Sequence, residues 1–329
     1  MKHWTEPNGI LIMQIPIEWQ YKNSAFEDVE EESPYSFELY EYFVGCFQLS
    51  CYPLTELAPN NKGNSKSGWS HSRMDDEEFN AHLFCGQIDD QALIGKYIYN
   101  HELQGDVRVT KQLEIVKAVL KSITIVPEKD RPLAVNLDKY DQFLASLCAS
   151  HDLLNSAVES ESNIESIIVC ANIIDAYLRL GIVITKQLRD KTDEIDIKYL
   201  FQAEGERGLM ERAVFNDALQ LDVINQSIVN ELSELYNLRN IIVHRYIISP
   251  IKTRDMVPVV GRYLKTLEKV RLILQEIENS QMGKGFGIYG RGFTREDNLN
   301  DVEFRRAYSW ANDKHLLGKY KRDVVMKKI

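Results

Sequence analysis

Ile164-Glu-Ser-Ile-Ile-Val-Cys-Ala-Asn-Ile-Ile-Asp-Ala-Tyr-Leu-Arg-Leu-Gly-Ile-Val-Ile184 is the most apolar stretch of the 329-residue chain, and its pattern decides the larger part of the fold. Ile167, Ile168, Cys170, Ile174, Tyr177 and Leu178 recur at the 3.6-residue period, which predicts a helix over Ile164 to Leu188. Glu165, Asp175 and Arg179 interrupt the run, so a core helix is expected rather than a membrane span. Similar periods cover Asp138 to Glu159 and Met256 to Ile277, with a shorter one over Gly208 to Leu221 and a long one over Val223 to Ile248. Ser249-Pro250 stops the last of these, because proline has no amide hydrogen to continue a helix. An antiparallel bundle of four or five helices is therefore expected over residues 136–280.

Upstream the pattern changes. Phe37-Glu-Leu-Tyr-Glu-Tyr-Phe43 and Cys46-Phe-Gln-Leu-Ser-Cys-Tyr52 alternate apolar with polar residues, and only Val44-Gly45 separates them, which predicts a tight hairpin. Ile10 to Ile17, Ala81 to Ile88 and Leu93 to Tyr99 read as further strands, and Asn60 to Ser72 as a loop. A helix over Val109 to Ser122 aligns Leu113, Val116 and Leu120 on one face. The fold class is α+β: an N-terminal antiparallel sheet domain with a packed helix over residues 1–132, ended by Pro127-Glu-Lys-Asp-Arg-Pro132, then the bundle, then a C-terminal extension over 281–329.

Charge follows these divisions. Residues 1–135 hold 12 Lys/Arg against 21 Asp/Glu, residues 136–280 hold 16 against 22, and residues 281–329 hold 11 against 6. With a formal net charge of -10, the protein as a whole cannot attract nucleic acid, and any such contact must be local. The five cysteines, Cys46, Cys51, Cys85, Cys148 and Cys170, form no CxxC and suit reduced thiols better than disulfides or a zinc site. Met-Lys-His-Trp-Thr-Glu-Pro at the start lacks a signal peptide's apolar run, so a soluble cytoplasmic protein without membrane association is expected.

Chemistry concentrates in Asn237-Leu-Arg-Asn-Ile-Ile-Val-His-Arg-Tyr246. At about 100° per residue, Asn237, Asn240 and His244 share a stripe, and Arg239 and Tyr246 share the adjacent one. An imidazole titrating near neutrality can take a proton from a 2'-hydroxyl, while a guanidinium holds phosphate oxygens bidentately. Such a set suits cleavage of RNA without a metal or cofactor. An Arg followed five residues later by His is common by chance; with Tyr two residues beyond, the string is much rarer.

Arg239-Asn240-Ile-Ile-Val-His244-Arg-Tyr246 resembles the R-X4-6-H motif of HEPN domains. In the form R-X4-H-X-Y it looks most like the HEPN toxins paired with MNT nucleotidyltransferase antitoxins. The likeness covers residues 136–280 and not the sheet domain or the extension. It implies a metal-independent endoribonuclease of toxin or antiviral-defence type, acting as a homodimer whose protomers bring their Arg/His pairs into one cleft. Arg239 and His244 are then catalytic, with His244 as general base and Arg239 on the phosphate. Asn240 orients the histidine or the substrate, Asn237 supports the set, and Tyr246 stands where the antitoxin AMPylates. The chain holds no Gly-Ser followed by an Asp-x-Asp, so an antitoxin or other regulator would be a separate chain. The competing class is an inactive HEPN-like interaction or scaffold protein.

Other signals carry less chemistry. Gly285-Phe-Gly-Ile-Tyr-Gly290 matches G-x-G-x-x-G but follows a helix, which predicts a flexible linker rather than a dinucleotide site. Arg305, Arg306, Lys319, Lys321 and Arg322, interleaved with Phe304, Tyr308, Trp310 and Tyr320, suit either RNA or an acidic domain of the same protein. The acidic runs Glu27 to Glu32 and Asp75 to Glu78 read as solvated surface, and His71, His82, His101, His151 and His315 as structural.

Overall fold

The computed structural model describes residues 1–16, 18–21, 34–39, 44–56, 68–75, 78–202 and 206–290. The acidic run at Glu27 to Glu32, His315 and the basic residues from Arg291 onward lie outside them. Antiparallel sheets come first and helices follow, so the protein is α+β. The described residues divide between a unit Met1–Asp138 and a second that starts at Lys139. The division falls inside a helix.

In the N-terminal unit, β1 (Lys2–Thr5) pairs with β2 (Leu11–Ile15). The turn between them is organised by one buried carboxylate. Glu6 accepts the amide hydrogens of Asn8 and Ile10, both at 2.9 Å, and the Tyr35 hydroxyl at 2.5 Å. Gly9 takes φ +74 in that turn, and a Cβ there would meet the Arg131 carbonyl oxygen at 2.6 Å, so glycine is required for both reasons. A six-stranded sheet is built from β3 (Trp19–Tyr21), β4 (Tyr35–Leu39), β5 (Cys46–Pro53), β6 (Ser70–Asp75), β7 (Phe79–Ile88) and β8 (Gln91–Asn100), in the spatial order β3-β4-β5-β8-β7-β6. Its helix, α1 (Val107–Lys121), starts at Asp106, whose side chain accepts the Arg108 amide hydrogen at 2.7 Å, and packs on β2 and β8. A two-residue strand, β9 (Thr124–Ile125), completes a smaller sheet with β1 and β2. Trp4, Trp19, Tyr35, Phe37 and Phe47 form the aromatic centre of this core.

Two sequence expectations change here. The strands flanking Val44-Gly45 do pair, but Glu38 lies opposite Cys46, so seven residues intervene rather than two. Residues 40–43 of the expected first strand lie outside the described residues. Ser70, His71 and Ser72, expected in a loop, belong to edge strand β6, where an entirely exposed face leaves no hydrophobic signature.

The helical unit is arranged around α3 (Asn163–Asp190), whose Ile167, Cys170, Ile173, Ile174, Leu178 and Ile182 are fully enclosed. Its most apolar window has mean hydropathy 2.0 and is 67% buried, as befits the central helix of a bundle. Helix α2 (Arg131–Glu159) starts with Pro132 in its first turn, where the missing amide hydrogen costs nothing. Helices α4 (Glu211–Gln220), α5 (Gln226–Arg245) and α6 (Thr253–Gln281) pack against α3, the last along most of its length. Asn225 caps α5 by accepting the Ile228 amide hydrogen at 3.1 Å, and the helix ends at Arg245, so Tyr246 is its C-cap rather than an internal residue.

The glycine-rich stretch is also not a free linker as far as Gly290. Buried Gln187 and Gln281 have amide oxygens that need donors, and the chain supplies them: the amides of Ile288 and Tyr289 donate to Gln187 Oε1 and Gln281 Oε1 at 3.1 and 2.8 Å. Gly287 donates to Asp193 Oδ1 at 2.8 Å, and glycines 283, 285 and 287 take the positive φ values that this winding demands.

Leu178→Ala removes a side chain with no solvent exposure from the centre of α3 and should destabilise the helical unit by roughly 2–5 kcal/mol. Urea unfolding followed by circular dichroism measures this, and a loss under 1 kcal/mol, on the order of a surface substitution, would contradict the central placement of α3.

Candidate functional site

Four charged side chains of the helical unit form two ion pairs, one along α3 and one between α4 and α5. Asp175 and Arg179 stand one turn apart on α3, and the Arg179 Nε donates to Asp175 Oδ2 at 2.5 Å. Arg179 then reaches away from its helix and donates to the carbonyl oxygens of Tyr199 (3.2 Å) and Leu209 (2.8 Å), tying the α3 to α4 connection to α3. A cavity of about 220 Å³ opens here, lined by Phe143, Asp175, Arg179, Tyr199, Phe201 and Leu209 among others.

Arg239 of α5 meets Glu211, the first residue of α4, with Nη1 donating to Oε2 at 2.5 Å. Each of these side chains is 19% exposed, so the pair is mostly shielded from solvent, and its attraction is set against the desolvation of both charges. The guanidinium also donates from Nη2 to Asn240 Oδ1 at 3.1 Å and lies 4.8 Å from the centroid of the Tyr236 ring. Burial pushes the Glu211 carboxyl above its ordinary value against the pull of Arg239, with Asp175 adding to the rise. Burial likewise raises Asp175 against the pull of Arg179 and Arg239, and its Oδ1 is buried without a hydrogen-bond partner.

The residues singled out from sequence are placed unevenly. Arg239 and Asn240 are brought together. His244 is exposed on the last turn of α5, makes no hydrogen bond among the described residues, and is not joined to Arg239 within the protomer. Asn237 does not touch the histidine; its Oδ1 accepts from Arg212 of α4 at 2.8 Å. Tyr246 is half-buried and its hydroxyl shares a hydrogen bond with Thr253 Oγ1 at 3.0 Å. Near His244 along the chain, Ile241, Val243, Ile247 and Ile248 are exposed, Ile247 almost completely at 95%, as is Arg245; Val257 of α6 is exposed too.

Sequence reasoning missed Glu211 and Arg212 because they lie on another helix, and no spacing rule links positions 211 and 239. It also missed a histidine pair in the N-terminal unit, where His71 Nε2 and His82 Nδ1 are 2.9 Å apart, stacked between Phe84 and Tyr99. Burial lowers the His82 pKa, with His71 and Arg73 adding to the fall. Among the described residues no group of three or more His, Cys, Asp or Glu side chains is placed to hold a metal ion. All five cysteines are free thiols, and burial pushes Cys170 up to about 12.

Comparison with protein-family models finds no match, and comparison with curated proteins finds none either. A crystal structure of a protein from Bacteroides thetaiotaomicron VPI-5482 is similar over 53% of this chain and 76% of its own, at 14% identity and a TM-score of 0.28. A likeness of that degree bears on neither fold nor function.

A carboxyl group with a raised folded-state pKa contributes stability that is complete below its unfolded value and is lost as pH rises through the folded value. Wild type should therefore lose stability relative to Glu211→Gln, which cannot ionise, as pH climbs from about 4 towards neutrality. Thermal unfolding of both proteins across that range checks this, and a constant difference in Tm would show that burial does not govern Glu211.

Proposed function

We propose that the protein is a metal-independent endoribonuclease of toxin or defence type, which cleaves RNA by attack of the 2'-hydroxyl on its own phosphodiester. The observation that supports this reading most is the imidazole of His244, exposed and without a hydrogen bond among the described residues, on the same helix that carries a guanidinium, Arg239, pre-oriented by Glu211, Asn240 and the Tyr236 ring. His244 takes the 2'-hydroxyl proton. Arg239 stabilises the charge that develops on the phosphoryl oxygens, once a phosphate replaces the Glu211 carboxylate. As the O2'–P bond forms the P–O5' bond breaks, the leaving 5'-oxygen takes a proton from water while His244 returns its own to solvent, and the products are a 2',3'-cyclic phosphate and a free 5'-hydroxyl.

Arg239 and His244 do not meet within one protomer, so the full site is assembled by two copies. The exposed apolar residues around His244 suit the seam of such a homodimer, since their burial would bring the imidazole of one copy beside the groups of the other. Tyr246 also lies beside that seam. AMPylation by a separate antitoxin chain would replace its contact with Thr253 by a bulky charged group and so obstruct assembly.

RNA cleavage in EDTA, compared between wild type, Arg239→Ala and His244→Ala, tests the reading. Loss of the general base should lower the rate by about 10²–10⁴, and Arg239→Ala should also abolish useful turnover. A wild type that leaves varied RNAs intact would instead favour an inactive scaffold. For the dimer, Ile247→Asp should shift the mass measured by light scattering from two copies to one and remove activity together with it. An active Ile247→Asp monomer would exclude the composite site.

A further inference from the structure

Arg212 has no part in the sequence motif of α5, yet the fold carries it there. It is the second residue of α4, is exposed, and donates from Nη2 to Asn237 Oδ1 at 2.8 Å. Its guanidinium carbon lies 4.7 Å from the centroid of the Tyr236 ring, the ring that Arg239 approaches to 4.8 Å. Two guanidinium groups are thus gathered on one phenol ring. A guanidinium held over an aromatic face by cation–π attraction keeps its charge and has N–H groups in a planar fork that can grip the paired oxygens of a phosphate.

The two arginines differ in what balances them. Arg239 faces the Glu211 carboxylate at 2.5 Å, whereas the contacts of Arg212 are a neutral amide oxygen and a ring, and it forms no ion pair among the described residues. Among the described residues no carboxylate is ion-paired to Arg212 for an incoming anion to displace. At Arg239 it must displace a carboxylate whose ionisation burial already disfavours.

We propose that Arg212 and Arg239 form a two-guanidinium seat for a phosphodiester of single-stranded RNA, in which Arg212 makes the first contact and Glu211 yields Arg239 as the phosphate enters. Asn237 is a positioning residue that holds Arg212 against Tyr236. The choice of RNA rests on the nuclease reading above; the seat itself needs no cleavage.

The test is binding of a fluorescein-labelled single-stranded oligoribonucleotide to the full chain in EDTA, by anisotropy over a series of potassium chloride concentrations, with His244→Ala in every protein to prevent cleavage. Arg212→Ala should weaken binding about tenfold at low salt. It should also reduce the slope of log K against log salt by about 0.7, the share of one phosphate contact on a single strand. Arg212→Lys should keep the slope while losing part of the affinity, and Glu211→Gln should bind more tightly than its parent. An unchanged slope and Kd in Arg212→Ala, with circular dichroism showing a native fold, overturns the seat, as does a parent protein that binds no RNA. The two readings separate cleanly. RNA binding whose slope depends on Arg212, in a chain that cleaves nothing, supports the seat and removes the nuclease, whereas cleavage lost with Arg239 and His244 but indifferent to Arg212 does the reverse.

Discussion

A helix that is apolar on nearly every side has to be covered on every side, and in this protein that helix is α3. Its backbone hydrogen bonds are satisfied internally, so what remains is the removal of a large apolar surface from water, worth on the order of 25 cal/mol for each Å². Helices α4, α5 and α6 are held in place by that demand. Even the glycine-rich turns after α6 take part, because Ile288 and Tyr289 pack against the same core and their amides satisfy two buried glutamines.

The polar break in α3 has a consequence for the rest of the unit. Asp175 and Arg179 sit at the edge of the buried surface, where a charge without partners would be costly, and the neighbouring elements supply most of them. Arg179 reads two carbonyl groups in the connection to α4, which fixes where that helix begins and hence where Glu211 and Arg212 are presented to α5. The ion pair of Glu211 and Arg239 is in this sense downstream of α3. At the rim of this set of charges Arg212 is exposed and, among the described residues, forms no ion pair.

The division of labour along α5 also follows from packing. Val229, Leu232, Leu235 and Ile242 face the core, Arg239 leans on α4, and the last turn emerges with His244 among exposed isoleucines and valines. Groups that sequence places five residues apart therefore differ in environment. One guanidinium is restrained on three sides, and one imidazole is open to solvent. The amide of Asn237, seven residues before the histidine and on its stripe, serves an arginine of another helix instead.

Periodicity along the chain was enough to reveal that sheets precede helices, that Ile164 to Leu188 is a helix, and that Arg239, Asn240 and His244 share one helix, because these properties are set by which residues are apolar within a turn or two of each other. The edge strand at Ser70 to Asp75 was illegible because an exposed face has no reason to be apolar, and the register that sets Glu38 opposite Cys46 because alternation shows which face is apolar and not which residues pair. The docking of Gly287, Ile288 and Tyr289 was hidden because glycine signals freedom while the acceptors that fix their amides come from Asp193, Gln187 and Gln281. Only the tertiary structure joined Glu211 and Arg212 to the α5 motif, since electrostatic and aromatic contacts act through space and leave no period in the sequence.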